Sequence, residues 1–512
     1  MNNMRAGLAN RSHLRMATLG IALLLQTGCT LAPEYKQPDA PISMEWPELP
    51  KITLDLARGT AELSKQSAEQ VTSTQHTVAD LGWEEFFRDP RLRALIALGL
   101  DNNRDLRIAV SRIEQARAQY GVQVGQQFPN ISLTIADVTT SLPQTMLTPG
   151  IDPVNSNFLG GANLTSFQLD LFGQLRSLSE AAFQSYLATA EAGRNVRITL
   201  ISNIAQAYFY ERMTELTLEL VDKTLKSRQE AYAIVLKRMD AGIATDLDLN
   251  QARSLLDAAA ANLAQYARLK SRAHNALILL VGTPLTMELP TPAPFTRESV
   301  LVNIPAGLPS NLLTRRPDIR QAERNLMSAN ANIGAARAAF FPDISLTGLL
   351  GTNSLTLSGL FKSGAYYWSI APNLSLPIFN GGALWANLDL AKAANREAVD
   401  QYEKSIQTAF KEVSDALAGE ATYGAEIQAT IAQQEATRKA LELSDMRYKM
   451  GIDNFLQAQI AQISYFNAQL GLITLRYNAL LNRIDLYKSL GGGWESGDME
   501  RKTPLHEPNA KN

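Results

Sequence analysis

Few residues in this chain could do covalent chemistry. Cys29 is the only cysteine among 512 residues, and it directly follows Gly28 at the end of a short apolar run. With no second thiol a disulfide is excluded. A lone cysteine is usually an inert buried side chain. This one stands directly after an apolar run and a small residue, a position that resembles a bacterial lipobox, where it would carry a covalent lipid. The four histidines, His13, His76, His274 and His506, are scattered without metal-ligand spacing. Gly491-Gly492-Gly493 follows a helical stretch and precedes a polar tail, so it reads as a helix stop rather than a phosphate loop. Glu84-Glu85 reads as a solvated helix start rather than an acid pair. No nucleophile stands with a base, so no catalytic residue, metal or cofactor is expected beyond the lipid on Cys29.

The segment before Cys29 carries Arg5, Arg11 and Arg15 and no acid, then the apolar core Ile21-Ala22-Leu23-Leu24-Leu25. That core is too short to span a bilayer as a helix. Residues 1–28 read as a signal peptide whose end, Gln26-Thr27-Gly28-Cys29, resembles a bacterial lipobox with Gln26 where leucine is usual. The formal net charge is -2, and -5 without the three signal arginines, so nothing points to nucleic acid. Long Ala/Gln/Asn-rich segments suit elongated helices packed through small residues better than one thick globule.

The chain says one thing twice. Phe128-Pro129-Asn130-Ile131-Ser132-Leu133-Thr134 returns as Phe341-Pro342-Asp343-Ile344-Ser345-Leu346-Thr347, and the register holds back to Asp105 and Asp318 with twelve identities over thirty positions, among them Arg107/Arg320, Ala109/Ala322 and Gly121/Gly334. A Phe-Gly or Phe-Asn-Gly step (Phe172-Gly173, Phe379-Asn380-Gly381) then opens a very long alanine-rich stretch, and a glycine turn lies far downstream in each copy (Gly242-Ile243, Gly451-Ile452). This is a tandem repeat. Its limits read as 83–290 and 291–490, with 29–82 an extended connector and 491–512 a polar tail.

Four segments read as strands, 131–142, 159–171, 344–355 and 365–379. They alternate apolar residues with Ser, Thr, Asn and Gln, and aromatics mark their ends. This pattern fits a transmembrane β-barrel or an ordinary soluble hairpin. The rest is helix, because no proline falls between Pro153 and Pro284 or between Pro377 and Pro504. Helices are expected over 91–127, 174–239, 246–280, 318–340, 382–450 and 453–490; the second would span on the order of 100 Å at 1.5 Å per residue. A 3-4 seam is expected at Leu470, Ile473, Tyr477, Leu480, Ile484 and Tyr487. Each half is then a β-hairpin (128–172, 341–379) mounted on a long helical hairpin. Four strands cannot close a barrel and an open edge cannot face lipid, so membrane strands would require several chains.

At this point the residues resemble a known family, the TolC-like outer membrane factors of tripartite efflux and type I secretion, and especially their lipoprotein branch. The resemblance rests on Cys29 with Pro33-Glu34-Tyr35, on Gly82-Trp83-Glu84-Glu85-Phe86-Phe87-Arg88-Asp89-Pro90, on Asn103-Arg104-Asp105-Leu106, on Leu169-Asp170-Leu171-Phe172-Gly173, on Pro305 to Ser310 leading to Arg315-Arg316-Pro317-Asp318-Ile319, and on Leu490-Gly491-Gly492-Gly493-Trp494. It implies a mainly α fold with membrane β: a homotrimer sharing a twelve-stranded barrel in the outer membrane, above a long periplasmic α-helical coiled-coil tunnel. It also implies an inner-membrane transporter and a periplasmic adaptor as partners, and Thr30 after the cysteine implies delivery to the outer membrane.

The glycine turns carry most weight in that reading. Gly242 and Gly451 suit helix reversals; by resemblance they form, with Asp246 and Asp453, the periplasmic tip that meets the adaptor and closes like an iris. Thr245-Asp246-Leu247-Asp248 has capping-box spacing, so Asp248 reads as a helix cap in preference to a pore-lining carboxylate, two roles that are compatible. The turns themselves are expected to carry little apolar seam. Relatives place an acidic residue one turn after a leucine at the closed aperture; here Leu456 is followed by Ile460, so an apolar constriction is expected instead of a cation-binding one. A type I secretion channel, a coiled-coil lipoprotein without membrane strands and, further off, a surface hydrolase are the alternatives.

Overall fold

In the computed structural model the described residues are 30–43, 45–50, 82–143, 145, 152–285, 288–301, 309 and 311–492. Cys29, the connector over 59–77, most of Pro305 to Ser310 and the tail from Gly493 lie outside them. Along the chain come α1 (Trp83–Phe86), α2 (Pro90–Asn102), α3 (Arg104–Gly125), β1 (Ile131–Ser141), β2 (Val154–Gln168), α4 (Gln174–Asp240), α5 (Asp246–Val281), α6 (Asn311–Arg315), α7 (Pro317–Ala338), β3 (Asp343–Ser354), β4 (Tyr366–Ser375), α8 (Ala383–Lys449) and α9 (Phe455–Ser489). Freedom from proline lets α4 and α8 run 67 residues each without a break.

Three expected elements change. The helix over 91–127 is two helices, because Asn103 leaves helical geometry (ψ 134°). Its Oδ1 accepts from the Leu106 amide (2.9 Å), capping α3, while its Nδ2 donates to the Leu280 carbonyl (2.8 Å) near the end of α5. β2 begins and ends earlier than 159–171: Asp170 leaves the ladder, accepts from the Arg176 amide (2.8 Å) and pairs with the Arg176 guanidinium (3.3 Å) at the start of α4. β4 ends at Ser375, short of Pro377.

By contacts the chain divides into two units, each drawn from both repeats. One comprises Met1–Asp39, Arg112–Ala190 and Gln321–Glu403; the other Ala40–Ser111, Glu191–Arg320 and Lys404–Asn512.

The first unit holds the sheet, antiparallel in the order β1-β2-β3-β4. Directly paired residues share a face. Ile131, Leu133 and Ile135 pair with Leu164, Ala162 and Gly160. Leu164 and Ala162 pair in turn with Gly348 and Leu350, which pair with Ile370 and Trp368. One face is thus apolar across all four strands and open: Leu133 is 80% exposed and Trp368 61%. The opposite face carries Ser132, Thr134, Asn163, Ser345, Thr347, Ser369 and Asn373. Between Leu164 and Phe167 the β2–β3 register shifts, and Ser166 takes φ 45° there. At the foot of the sheet Phe172 stacks on Phe341, one aromatic from each repeat, with centroids 4.7 Å apart. Tyr120 of α3 meets Phe183 of α4 at 5.2 Å, and Ser328 of α7 hydrogen bonds with Ser185 of α4 at 3.0 Å.

The second unit is helical. Phe86 stacks on Tyr487 of α9 (4.0 Å), and Phe87, also fully buried, makes a β-bridge to Val300. Arg316, between α6 and α7, is the repeat equivalent of Asn103. It too holds the end of a returning helix, donating from Nη1 to the Ser489 carbonyl (2.9 Å), while pairing with Asp318 (2.6 Å) and Glu412 (2.8 Å). The seam of α9 follows expectation only at its C-terminal end, where Leu480, Ile484 and Tyr487 are buried. Before that the buried residues are Phe455, Ala458, Ala461, Ala468, Leu472, Leu475 and Ala479, with Leu472, Leu475 and Ala479 packed on Ile427 of α8, while Leu470, Ile473 and Tyr477 are half-buried. Alanines on the seam let the helices approach closely, which a search for large apolar residues overlooks.

Candidate functional site at the helix turns

The second unit contains both reversals, and the same local chemistry builds them. At the end of α4, Gly242 takes φ 73°, its amide donates to the Met239 carbonyl (2.8 Å), and the Ile243 amide reaches back to the Arg238 carbonyl (2.8 Å). At the end of α8, Gly451 takes φ 75°, donates to the Tyr448 carbonyl (3.0 Å), and Ile452 reaches the Arg447 carbonyl (2.9 Å). Both are Schellman closures, which need a left-handed residue that glycine adopts without a Cβ penalty. Nothing lies within 4 Å of where a Cβ would stand at either, so the requirement is conformational rather than spatial.

Each return helix is capped at once. The Thr245 hydroxyl accepts from the Asp248 amide (3.2 Å) and the Asp248 carboxylate accepts from the Thr245 amide (3.0 Å), a complete capping box. Asp246 is exposed in the same first turn. Asn454 caps α9 by accepting from the Gln457 amide (3.3 Å). Asp453 is tied back to the helix it follows, accepting from Arg447 Nε (2.6 Å) and Nη2 (3.0 Å), and that guanidinium holds its carboxyl below the ordinary aspartate range.

The two turns are held side by side. Arg238 lies over the Tyr448 ring, 4.6 Å from its centroid, and its Nη1 donates to the Tyr448 carbonyl (3.2 Å). Val235, Ala252 and Phe455 form a buried cluster with Tyr232, Leu249 and Tyr448 packed around it. The expectation of little apolar seam at the turns is therefore corrected: Phe455, the first residue of α9, supplies one. Farther back, Arg228 is buried, donates to Gln462 Oε1, and Gln462 Nε2 reaches Asp445 (3.5 Å), so α4, α9 and α8 share one polar link. Burial pushes the Arg228 guanidinium below its usual value, with Asp445 opposing. Arg238, Tyr448 and Phe455 did not stand out in the sequence. A signal was present, because Arg238 and Arg447 occupy equivalent places four residues before their glycines. Arg447 has Asp453 to pair with, whereas Ala244 occupies that place in the first copy and Arg238 turns to the tyrosine instead.

Leu456 and Ile460 stand one turn apart on one face of α9, 44% and 49% exposed in the single chain. His274 pairs with Glu211 (2.8 Å). Glu84 and Glu85 form the exposed first turn of α1. Gly491 (φ 78°) and Gly492 close α9 as a helix stop, with bonds to the Lys488 and Tyr487 carbonyls. Among the described residues no cluster of His, Cys, Asp and Glu is arranged to hold a metal ion, and no helix is long and apolar enough to cross a membrane.

The sequence family described as "Outer membrane efflux protein" matches residues 95–283 and 308–492, one match in each repeat. The chain is 43% identical over 473 residues to the solvent efflux pump outer membrane protein SrpC of Pseudomonas putida, covering 92% of this chain and 97% of that one. Among solved structures it is similar to a membrane protein from Pseudomonas aeruginosa (39% identity, TM-score 0.81, 90% of this chain and 100% of that one). It is also similar to the open state of the Neisseria gonorrhoeae MtrE outer membrane channel (36% identity, TM-score 0.78, 91% and 98%). Matched on both repeats and along nearly its whole length, the chain belongs to the outer membrane efflux protein family and is an efflux channel of the outer membrane with a TolC-like fold.

Proposed function

We propose that three copies of this chain close one twelve-stranded barrel and form the exit duct of a tripartite pump, receiving small molecules from an inner-membrane transporter through a periplasmic adaptor. The observation that carries this reading is the sheet: its apolar face spans all four strands, its polar face opposes it, and β1 and β4 are left as open edges. Open edges are intolerable in lipid, and pairing β4 of one chain with β1 of the next removes them. Apolar solvents, named for the Pseudomonas putida relative, are the expected cargo class. The turns at Gly242 and Gly451, with Asp246 and Asp453, meet the adaptor, and Leu456 and Ile460 line the resting constriction as an apolar ring that blocks flow by dewetting. The chain is no enzyme on this reading, and Cys29 carries its covalent lipid.

Mass measurement of the detergent-extracted protein should give three subunits, and a stable monomer retaining its full β-content would refute the proposal. Loss of the protein should sensitise cells to toluene, and restoration by the wild-type chain should reverse it. Radiolabelled palmitate should enter the wild type and be absent from Cys29→Ser; an unlabelled wild type would refute the lipid assignment alone.

A further inference from the structure

One line of residues along α7 holds the chain segment that follows Cys29. Glu323, Asn330 and Arg337 recur at every seventh position, two turns apart, and so share a face, with Gly334 between the last two. The segment runs antiparallel along this line. Tyr35 Oη donates to Glu323 Oε1 (3.3 Å), Asn330 Nδ2 donates to the Pro33 carbonyl (2.8 Å), and Arg337 Nη1 donates to the Leu31 carbonyl (3.1 Å). Between them Ala32 lies against Gly334 so closely that an added Cβ would stand 2.8 Å from the Ala32 backbone. The contact continues onto α8, where Gln37 Nε2 donates to Tyr402 Oη (2.9 Å).

The tandem repeat supplies the comparison. The equivalents of Glu323, Asn330 and Arg337 on α3 are Val110, Arg117 and Val124. The glycine is kept as Gly121, yet nothing lies within 4 Å of where its Cβ would be. Helical backbone alone does not attract the segment; the polar residues that read it exist only in the second copy. Arg337 is the last but one residue of α7, and β3 begins at Asp343. Leu31 follows Cys29 by two residues, roughly 7 Å of extended chain.

Resting on the lipidation of Cys29 proposed above, we propose that Glu323, Asn330, Gly334 and Arg337 form a positioning site that brings the acyl anchor down beside β3 and not beside β1. The two strand ends are told apart by mass, because Phe-Pro-Asn leads into one and Phe-Pro-Asp into the other.

The test uses the full-length protein in outer membranes of cells fed a photoactivatable fatty acid. Illumination of the wild type should mark residues 344–347 well above residues 131–134. Asn330→Ala combined with Arg337→Ala, and separately Gly334→Ala, should bring the two marks toward equality with acyl incorporation unchanged, while Gly121→Ala should leave the wild-type pattern. Equal marking in the wild type, or a pattern unchanged in both Asn330/Arg337 and Gly334 variants, overturns the proposal. Trypsin cleavage after the exposed Lys36 should be on the order of tenfold faster in the double variant, the consequence of losing two ordinary hydrogen bonds. An unchanged cleavage rate there also overturns it. A wild type with no acyl label refutes the lipidation reading; the positioning of an anchor then falls with it, while faster cleavage would still identify the seat of the segment.

Discussion

Asp89 offers the sharpest test of how the helical unit is held. Its carboxylate is 1% exposed and serves four donors: the Arg91 and Leu92 amides at the start of α2 (2.9 and 3.3 Å), Tyr208 Oη of α4 (2.7 Å) and the Ala293 amide (3.2 Å). Burial, and then the hydrogen bond to Asp89, push the Tyr208 phenol well above its ordinary range, so it remains a donor into alkaline solution. Asp89→Ala removes a helix cap, worth about 1 kcal/mol, and orphans two buried donors at about 1–3 kcal/mol each. A total loss of about 3–7 kcal/mol is expected. Tyr208→Phe removes one donor and leaves the carboxylate its other partners, so about 1–2 kcal/mol is expected. Asp89→Asn keeps the cap but turns an N–H toward Ala293, and should fall between them. The assay is urea unfolding of the detergent-solubilised protein followed by helical circular dichroism, with the double variant closing the cycle. Because Tyr208 acts through Asp89, the two losses should overlap by at least about 1 kcal/mol. Full additivity, or an Asp89→Asn protein as stable as wild type, would refute this account.

Arg316→Ala leaves the Ser489 carbonyl without its charged donor and the half-exposed Glu412 without its cation, and should cost about 2–4 kcal/mol, against about 1–2 kcal/mol for Asn103→Ala at the equivalent break; equal losses would show that the arginine's ion pairs contribute nothing. Leu133→Arg, on the apolar face, should cost about 2–4 kcal/mol of membrane insertion and lower the yield of assembled protein, whereas Thr134→Arg should assemble and alter ion selectivity in planar bilayers. If both assemble equally, the apolar face does not meet lipid. The Asp453 carboxyl titrates below its unfolded value, so the hold of Arg447 on it is present above that value and lost as pH falls through the lowered one. A spin label at Ile452 should therefore gain mobility only in acid below the ordinary aspartate range, and Arg447→Gln should show that mobility at neutral pH. Serine at both Leu456 and Ile460 should raise single-channel conductance, and an unchanged conductance would place the constriction elsewhere.

Much of the molecule was legible in the sequence because its signals are local. The two Phe-Pro strand starts, the proline-free helices, the glycine reversals at 242 and 451 and the capping box at Thr245 each depend on residues within a few positions, and each appears where periodicity and turn chemistry put it. Local rules failed where a residue answers to a distant one. Asn103 interrupts a helix that propensity alone would continue, because its amide is shared between the next turn and the end of α5. The buried seam of α9 runs through alanines, which hydrophobicity ranks low but close helix packing selects. Sequence spacing supplied two hairpins, but only the tertiary structure pairs β2 with β3, and that pairing aligns four apolar faces into one surface. The same division holds for the paired glycines. Gly121 and Gly334 are alike in the repeat, and only the fold lays residues 31–35 across one of them, because hydrogen-bond partners from a segment some 300 residues away in sequence have no local signature.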